Sequence, residues 1–172
     1  EAAANGAADG LRLALNVGAM LLAFLALIAL INYPLERLGE VTGLGDALGA
    51  PVNLALILGY LLAPLAWVIG VPTADIVTVG GLIGQKVVAN EFVAYVALND
   101  VSPTLTEKGR LIATYALCGF ANFSSIAIQI GGIGGLAPER KSDIARFGLR
   151  AVLGGSLVTM MTATIAGVLH SL

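Results

Sequence analysis

The sequence predicts an all-α integral membrane protein whose transmembrane helices are accompanied by a re-entrant helical hairpin and a discontinuous helix. Its 172 residues are 58% hydrophobic and only 12% charged, whereas a soluble domain carries about 25% charged residues. Several uncharged runs reach the length of about 20 residues that a membrane span requires. Other apolar runs are interrupted too early by glycine and polar residues to cross a bilayer. We therefore expect one membrane domain over residues 1–172 and no separate soluble domain.

Two uncharged runs in the first half of the chain predict different kinds of helix. Residues 13–31 (LALNVGAMLLAFLALIALI) are long enough for a transmembrane helix. Because Pro34 disfavours a helical conformation at the preceding residue, this helix should end near Asn32, and residues 35–50 should form a loop or an interfacial segment. Residues 51–72 are also uncharged but contain an internal proline and a tryptophan near their end. We expect a bent or interfacial helix there.

Residues 73–99 predict a re-entrant helical hairpin. Their apolar pieces have only about half the length of a membrane span. The residues that interrupt them are small or polar: Gly80, Gly81, Gly84, Lys86, Asn90 and Glu91. Because lipid offers the backbone no hydrogen-bond partner, a turn at membrane depth must be buried in protein or line a cavity. We therefore expect this hairpin to border a cavity.

Residues 111–138 carry no charge but have a polar middle, which predicts a broken transmembrane helix. Asn122, Ser125 and Gln129 follow one another at spacings of three and four residues, so they share one face of a helix. A polar face in an apolar helix must meet protein or water, and such residues alone could equally serve to join two helices. Residues 151–169 form another uncharged run, which predicts a last full span.

Glu91 is the main functional candidate. A carboxylate at the centre of a bilayer costs about 2.5–3.5 kcal/mol on insertion scales, so an intramembrane glutamate is taken as functional by default. The alternative is a hydrated interfacial residue or a pair with Lys86, although five residues is a poor helical spacing for a pair. A carboxylate accepts through two oxygens and so matches two adjacent hydroxyl donors, such as those of a sugar. With the amide of Asn122 and the hydroxyl of Ser125, it would form a site for a neutral, polyhydroxylated solute.

Composition argues against several other functions. A net charge of −2 provides no basic field for nucleic acid, so we expect no nucleic-acid partner. The single cysteine, Cys118, and the single histidine, His170, form neither a metal site nor a nucleophile and base set. We therefore expect no enzyme, no metal and no cofactor. A structural or assembly subunit without a substrate site stays an alternative, although it gives no reason for a carboxylate in a broken hairpin.

Two adjacent segments resemble signature sequences of the concentrative nucleoside transporter family: GQKVVANEFVAY (84–95) and TYALCGFANFSSIAIQIGGIGGLAPER (114–140). The opening AAANGAADGLRLALNVGAMLLAFLALIALIN is similar to that family too, so the resemblance covers essentially the whole chain. It implies a homotrimeric transporter of two inverted repeats, of which this chain is the second, in the carboxy-terminal half. The implied elements are a transmembrane helix at 11–32, a bent or interfacial helix at 50–71, a hairpin at 72–99, a broken transmembrane helix at 110–136 and a transmembrane helix at 142–170.

The same resemblance implies nucleoside uptake by a multi-pass protein of the cytoplasmic (inner) membrane, driven by a sodium or a proton gradient. Glu91 would accept hydrogen bonds from the ribose hydroxyls, Asn122 and Ser125 would complete that side, and Phe120 would pack near the sugar or base. Asn90, beside Glu91, joins the expected substrate-binding set. The base-reading hairpin and the ion site would lie in the amino-terminal half. The expected partners are therefore a nucleoside, the lipid bilayer, that half and the other copies of a homotrimer.

Overall fold

The computed structural model describes residues 1–136 and 138–171, apart from the side chains at positions 13, 16, 17, 20, 21, 24, 25, 127 and 131–136. Every regular element in these ranges is a helix, which confirms the predicted all-α class. The α-helices are α1 (Ala2–Thr42), α2 (Leu44–Leu48), α3 (Leu54–Val68), α4 (Ile76–Val88), α5 (Glu91–Val101), α6 (Glu107–Leu117), α7 (Phe123–Leu136) and α8 (Lys141–Leu169). Short 3-10 turns occupy Thr73–Asp75, Ser102–Thr104 and Pro138–Arg140.

Helix α1 is longer than the sequence indicates. It does not stop before Pro34 but continues to Thr42 and ends at Gly43, whose φ of 68° is left-handed. The prediction of a helix end near Asn32 is therefore wrong, and most of residues 35–50 are helical and do not form a loop. The alternative of an interfacial segment over 35–50 stays a prediction. Proline removes one backbone hydrogen bond without necessarily ending a membrane helix. Here the stop signal is the left-handed glycine that follows, which terminates helices because it carries no Cβ.

Helices α3 and α4 approach each other closely through glycine. A Cβ added to Gly80 would lie 2.7 Å from the carbonyl oxygen of Gly59, and one added to Gly81 would lie 2.7 Å from that of Ala55. Small residues permit this backbone-to-backbone approach between membrane helices. The glycines of the apolar run therefore serve packing, and α4 continues through them from Ile76 to Val88.

The segment from α4 to α7 contains the hairpin and the broken helix that the fold class predicts. Helices α4 and α5 have 13 and 11 residues, fewer than the roughly 20 of a span, and they are joined at Ala89 and Asn90. Helices α6 and α7 are separated by a non-helical break at residues 118–122. Helix α8 packs against both halves of the broken helix. Within the described residues, Pro138–Leu169 is the helical stretch with the length and hydropathy to cross a membrane.

A hydrophobic core lies among α3, α4, α5, α6 and α8 and supports both the hairpin and the break. Its fully buried members include Ile83 of α4, Ile112 and Leu117 of α6 and Ala163 of α8. Because lipid tails are as apolar as these side chains, such a core is held together mainly by close van der Waals packing between the helices. The core therefore fixes the hairpin turn and the helix break relative to each other, and the polar residues of both lie at its edge.

Candidate functional site

The hairpin turn and the helix break meet through Glu91 and Asn122. Nδ2 of Asn122 donates a hydrogen bond of 2.7 Å to Oε2 of Glu91, across 31 positions of the chain. Glu91 is the first residue of α5 and is half-buried, whereas Asn122 is fully buried just before α7. Hydrogen bonds to an ionised carboxylate are shorter and stronger than those between neutral groups. This bond therefore joins the turn of the hairpin to the break of the discontinuous helix.

Asn122 is held by the first turn of α7. Its Oδ1 accepts hydrogen bonds from the backbone N–H of Ser125 at 2.7 Å and from the hydroxyl of Ser124 at 2.8 Å. The hydroxyl of Ser125 in turn donates to the backbone carbonyl of Asn122 at 2.7 Å. This is the geometry of a helix N-cap, in which a side-chain oxygen satisfies a free N–H of the first turn. The amide of Asn122 is thereby oriented with its nitrogen toward Glu91.

Asn90 is the N-cap residue of α5. Its Oδ1 accepts a hydrogen bond of 3.0 Å from the backbone N–H of Val93. The amino-terminal ends of α5 and α7, each capped by asparagine, thus lie on either side of the contact between Glu91 and Asn122. Helix N-termini carry a partial positive charge and point free N–H groups outward. In transporters, the N-termini of discontinuous helices point at anionic groups, and the anionic group at these two termini is the Glu91 carboxylate.

Replacing Asn90 by alanine is expected to lower the free energy of unfolding by about 1 kcal/mol, since alanine cannot cap α5. Asn90→Ser keeps a capping oxygen and should preserve most of that stability. Thermal unfolding of the purified variants measures the difference. If serine and alanine destabilised the protein equally, the cap would not be the role of this side chain.

Phe120 lies in the break, about half exposed, and borders a groove of about 430 Å³ between the break, α7 and α8. Ser125 and Gln129 also line this groove, together with apolar residues of α8. Asn122, Ser125 and Gln129 were expected to share one face of a helix. This is wrong for Asn122, which lies in the break before α7. Asn122 and Ser125 are buried, while Gln129 is exposed. Glu91 and Asn122 are not among the residues that line this groove. An exposed aromatic ring in such a groove is suited to stack on a flat or cyclic ligand.

Lys86 is a buried residue of this region that the sequence analysis did not assign to the site. Its side chain is 0% exposed, and its Nζ donates hydrogen bonds of 3.1 Å to the carbonyl of Ala116 and to the hydroxyl of Thr159. Among the described residues the ion pairs are Arg37 with Glu40 and Arg140 with Asp143, so no salt bridge joins Lys86 to Glu91. A lysine in the middle of an apolar run is a sequence signal that its side chain is buried. The sequence does not show which groups accept hydrogen bonds from that side chain.

Comparison with known proteins identifies the family. The sequence profile described as Na+ dependent nucleoside transporter C-terminus matches residues 1–167. The chain belongs to the concentrative nucleoside transporter family. This confirms the resemblance stated above and the multi-pass membrane fold, since the structural neighbours of the chain are transporters of this family. The family is one of transporters and not of enzymes.

Relatives of this transporter chain occur in bacteria and in animals. It is 49% identical over 172 residues to nucleoside permease NupC of Helicobacter pylori, covering 97% of this chain and 40% of the permease. It is 54% identical over 167 residues to the uncharacterized transporter YutK of Bacillus subtilis, with the same two coverages of 97% and 40%. It is 38% identical over 185 residues to sodium/nucleoside cotransporter 1 of Sus scrofa, covering 99% and 28%. The chain thus spans two fifths or less of these relatives.

Solved structures of the family superpose well on this chain. CNTnw in an inward-facing substrate-bound state matches with a TM-score of 0.80 at 48% identity, covering 97% of this chain and 40% of that one. A CNTnw variant in an intermediate 3 state matches with a TM-score of 0.83 at 49% identity, covering 97% and 41%. The hairpin and the broken helix are therefore features of the transporter fold.

Proposed function

We propose that the chain forms the carboxy-terminal half of a nucleoside transporter of the cytoplasmic membrane and supplies the ribose-binding side of its substrate site. The hydrogen bond between Glu91 and Asn122 carries this proposal, because it gathers a carboxylate, an amide and two helix N-termini at one point. Relatives named for nucleoside transport support the class of substrate. The amino-terminal half of the same transporter would complete the site, and the assembly would be a homotrimer in the bilayer.

The chemistry of the site suits a ribose. A carboxylate has about four lone-pair sites, so Glu91 can accept from vicinal ribose hydroxyls while it also accepts from Asn122. Ser125 donates its hydroxyl proton to the backbone carbonyl of Asn122 and accepts a long hydrogen bond of 3.4 Å from the backbone N–H of the same residue. One lone pair of its oxygen is left to accept from the sugar. Phe120 would pack on the sugar or base, and Asn90 would contribute by fixing the start of α5. A neutral nucleoside satisfies these groups without adding charge to the site.

An ion gradient would supply the free energy for uptake. The matching profile is described as Na+ dependent, which favours sodium over protons as the coupling ion. We place the ion site in the amino-terminal half, outside this chain.

Uptake of labelled uridine and adenosine by cells that express the complete transporter tests the proposal, with the unmodified protein compared with Glu91→Gln at matched membrane levels. Transport that depends on Glu91 would support a ribose site. Normal trimer assembly without any nucleoside binding would instead support a structural subunit.

Ser125→Ala in the complete transporter should weaken the binding of a ribonucleoside about tenfold, because losing one partner of a buried hydrogen bond costs about 1–3 kcal/mol. An analogue that lacks the contacted ribose hydroxyl should lose much less. Dissociation constants of the two ligands, measured by titration calorimetry on both proteins, provide the comparison. Equal losses for both ligands would remove Ser125 from the sugar site.

A further inference from the structure

Lys86 is the largest fully buried side chain among the described residues. It lies near the end of α4, and its two acceptors come from other elements: Ala116 from the last turn of α6 and Thr159 from α8. Lysine is almost never fully buried unless its ammonium is paired. Thirty positions separate Lys86 from Ala116 and 73 separate it from Thr159. One side chain therefore links three helices.

The position of Ala116 explains why an ammonium is placed there. Helix α6 ends at Leu117, so the carbonyls of its last turn have no partner within the helix. That end also carries a partial negative charge, which a cation offsets. Lys86 thus stabilises a helix end that exists only because the transmembrane helix is broken.

At the opposite, amino-terminal end of α6, the carboxylate of Asp75 is hydrogen-bonded to the N-cap residue. Asp75, which directly precedes α4 and is 3% exposed, accepts hydrogen bonds from the backbone N–H of Thr106 at 3.2 Å and from its hydroxyl at 2.5 Å. Thr106 is the N-cap residue of α6, and the amino-terminal end of a helix favours negative charge. The start of α4 thus presents an acid to the start of α6, and the end of α4 presents a base to the end of α6.

The break itself passes directly over Lys86. A Cβ added to Gly119 would lie 3.7 Å from Nζ of Lys86 and would collide with Cγ2 of Thr159. Asn122 follows Gly119 by three residues and holds Glu91. The place where Asn122 meets Glu91 therefore depends on how the backbone of the break rests on Lys86 and Thr159.

We propose that Lys86 is a positioning residue of the substrate site, which holds the end of α6 and the start of the break so that Asn122 stays within hydrogen-bond distance of Glu91. It acts through Asn122 and does not touch the substrate. This inference rests on the proposed function, since the geometry that it maintains is that of the ribose-binding contact.

The test compares a ribonucleoside with its 2′,3′-dideoxy analogue, which lacks the hydroxyls that Glu91 would bind. Dissociation constants are measured on the purified complete transporter with and without Lys86→Met. The variant should reduce the preference for the ribonucleoside at least about tenfold, while the analogue changes less than about threefold. An unchanged preference, or equal losses for both ligands, would overturn the proposal, because a merely structural role weakens both alike.

Two further variants complete the design. Lys108→Met is the matched control, since Lys108 lies on α6 but donates to Ser171 at the exposed surface, and it should keep the preference. Thr159→Val removes one acceptor of Lys86 at nearly constant shape and should reduce the preference about threefold. If Lys86→Met does not fold, Thr159→Val decides: a lowered preference supports the proposal and an unchanged one overturns it.

Glu91→Gln, measured with the same two ligands, distinguishes a failure of the ribose assignment from a failure of the positioning role of Lys86. If it keeps the preference for the ribonucleoside, the ribose assignment fails and the positioning role fails with it. If it removes the preference while Lys86→Met and Thr159→Val both keep it, only the positioning role is overturned.

Discussion

Glu91→Gln is expected to reduce uptake of uridine and adenosine by the complete transporter about 100-fold at substrate concentrations below saturation. Glutamine keeps the size of the side chain but has a single carbonyl oxygen, which Asn122 would occupy. Its NH2 group would then face the ribose hydroxyls in place of a carboxylate oxygen. Hydrogen bonds to a charged group contribute about 1.5–3 kcal/mol each, and a 100-fold loss corresponds to about 2.8 kcal/mol. Losing the bonds at two hydroxyls therefore accounts for a loss of this size even if the glutamine NH2 group compensates for part of it.

The measurement is the initial rate of labelled nucleoside uptake at matched amounts of protein in the membrane. Glu107→Gln is a suitable control, because Glu107 is likewise an acid in the first turn of a short helix but is exposed. Normal uptake by Glu91→Gln would leave the family assignment intact and make Glu91 a structural residue. Absence of uptake by the unmodified protein as well would contradict the choice of uridine and adenosine as substrates.

Gly80→Ala is expected to destabilise the hairpin by about 2–3 kcal/mol, since inserting a methyl group into a well-packed contact costs about 1–3 kcal/mol and occasionally more. The new Cβ would lie 2.7 Å from the carbonyl oxygen of Gly59 and 3.2 Å from the backbone nitrogen of Ala63. These are backbone atoms of α3, so no side-chain rotation relieves the clash. The two helices must separate, and the hairpin moves with α4.

Thermal unfolding of the purified complete transporter measures this effect as a lowered Tm. Gly154→Ala in α8 is the matched control, because its Cβ would meet nothing within 4 Å. Alanine favours the helix over glycine by about 1 kcal/mol, so the control should be as stable as the unmodified protein or slightly more stable. Equal Tm values for the two variants would contradict the close packing of α3 against α4.

Much of the fold follows from local sequence. The uncharged runs at 13–31 and 151–169 fall within α1 and α8, and the polar interruptions at Asn90 and Asn122 mark the start of α5 and of α7. Both asparagines act as N-caps, a role that a single residue can signal because it involves the next turn of its own helix. The end of α1 differs from the prediction because Pro34 removes only one backbone hydrogen bond, and the rest of the helix continues to Thr42.

The sequence by itself determined the membrane class of the protein, the order of the hairpin, the broken helix and the last span, and the three polar side chains Glu91, Asn122 and Ser125 that the fold brings together. Only the tertiary structure decided that the Glu91 carboxylate meets the Asn122 amide, that glycine brings α3 against α4 and that Lys86 supports the break. The physical reason is that the periodicity and composition of a segment predict which of its residues are buried. The partner of a buried polar group is set by helices that approach from as far as 73 positions away in the chain, and no local pattern contains that distance.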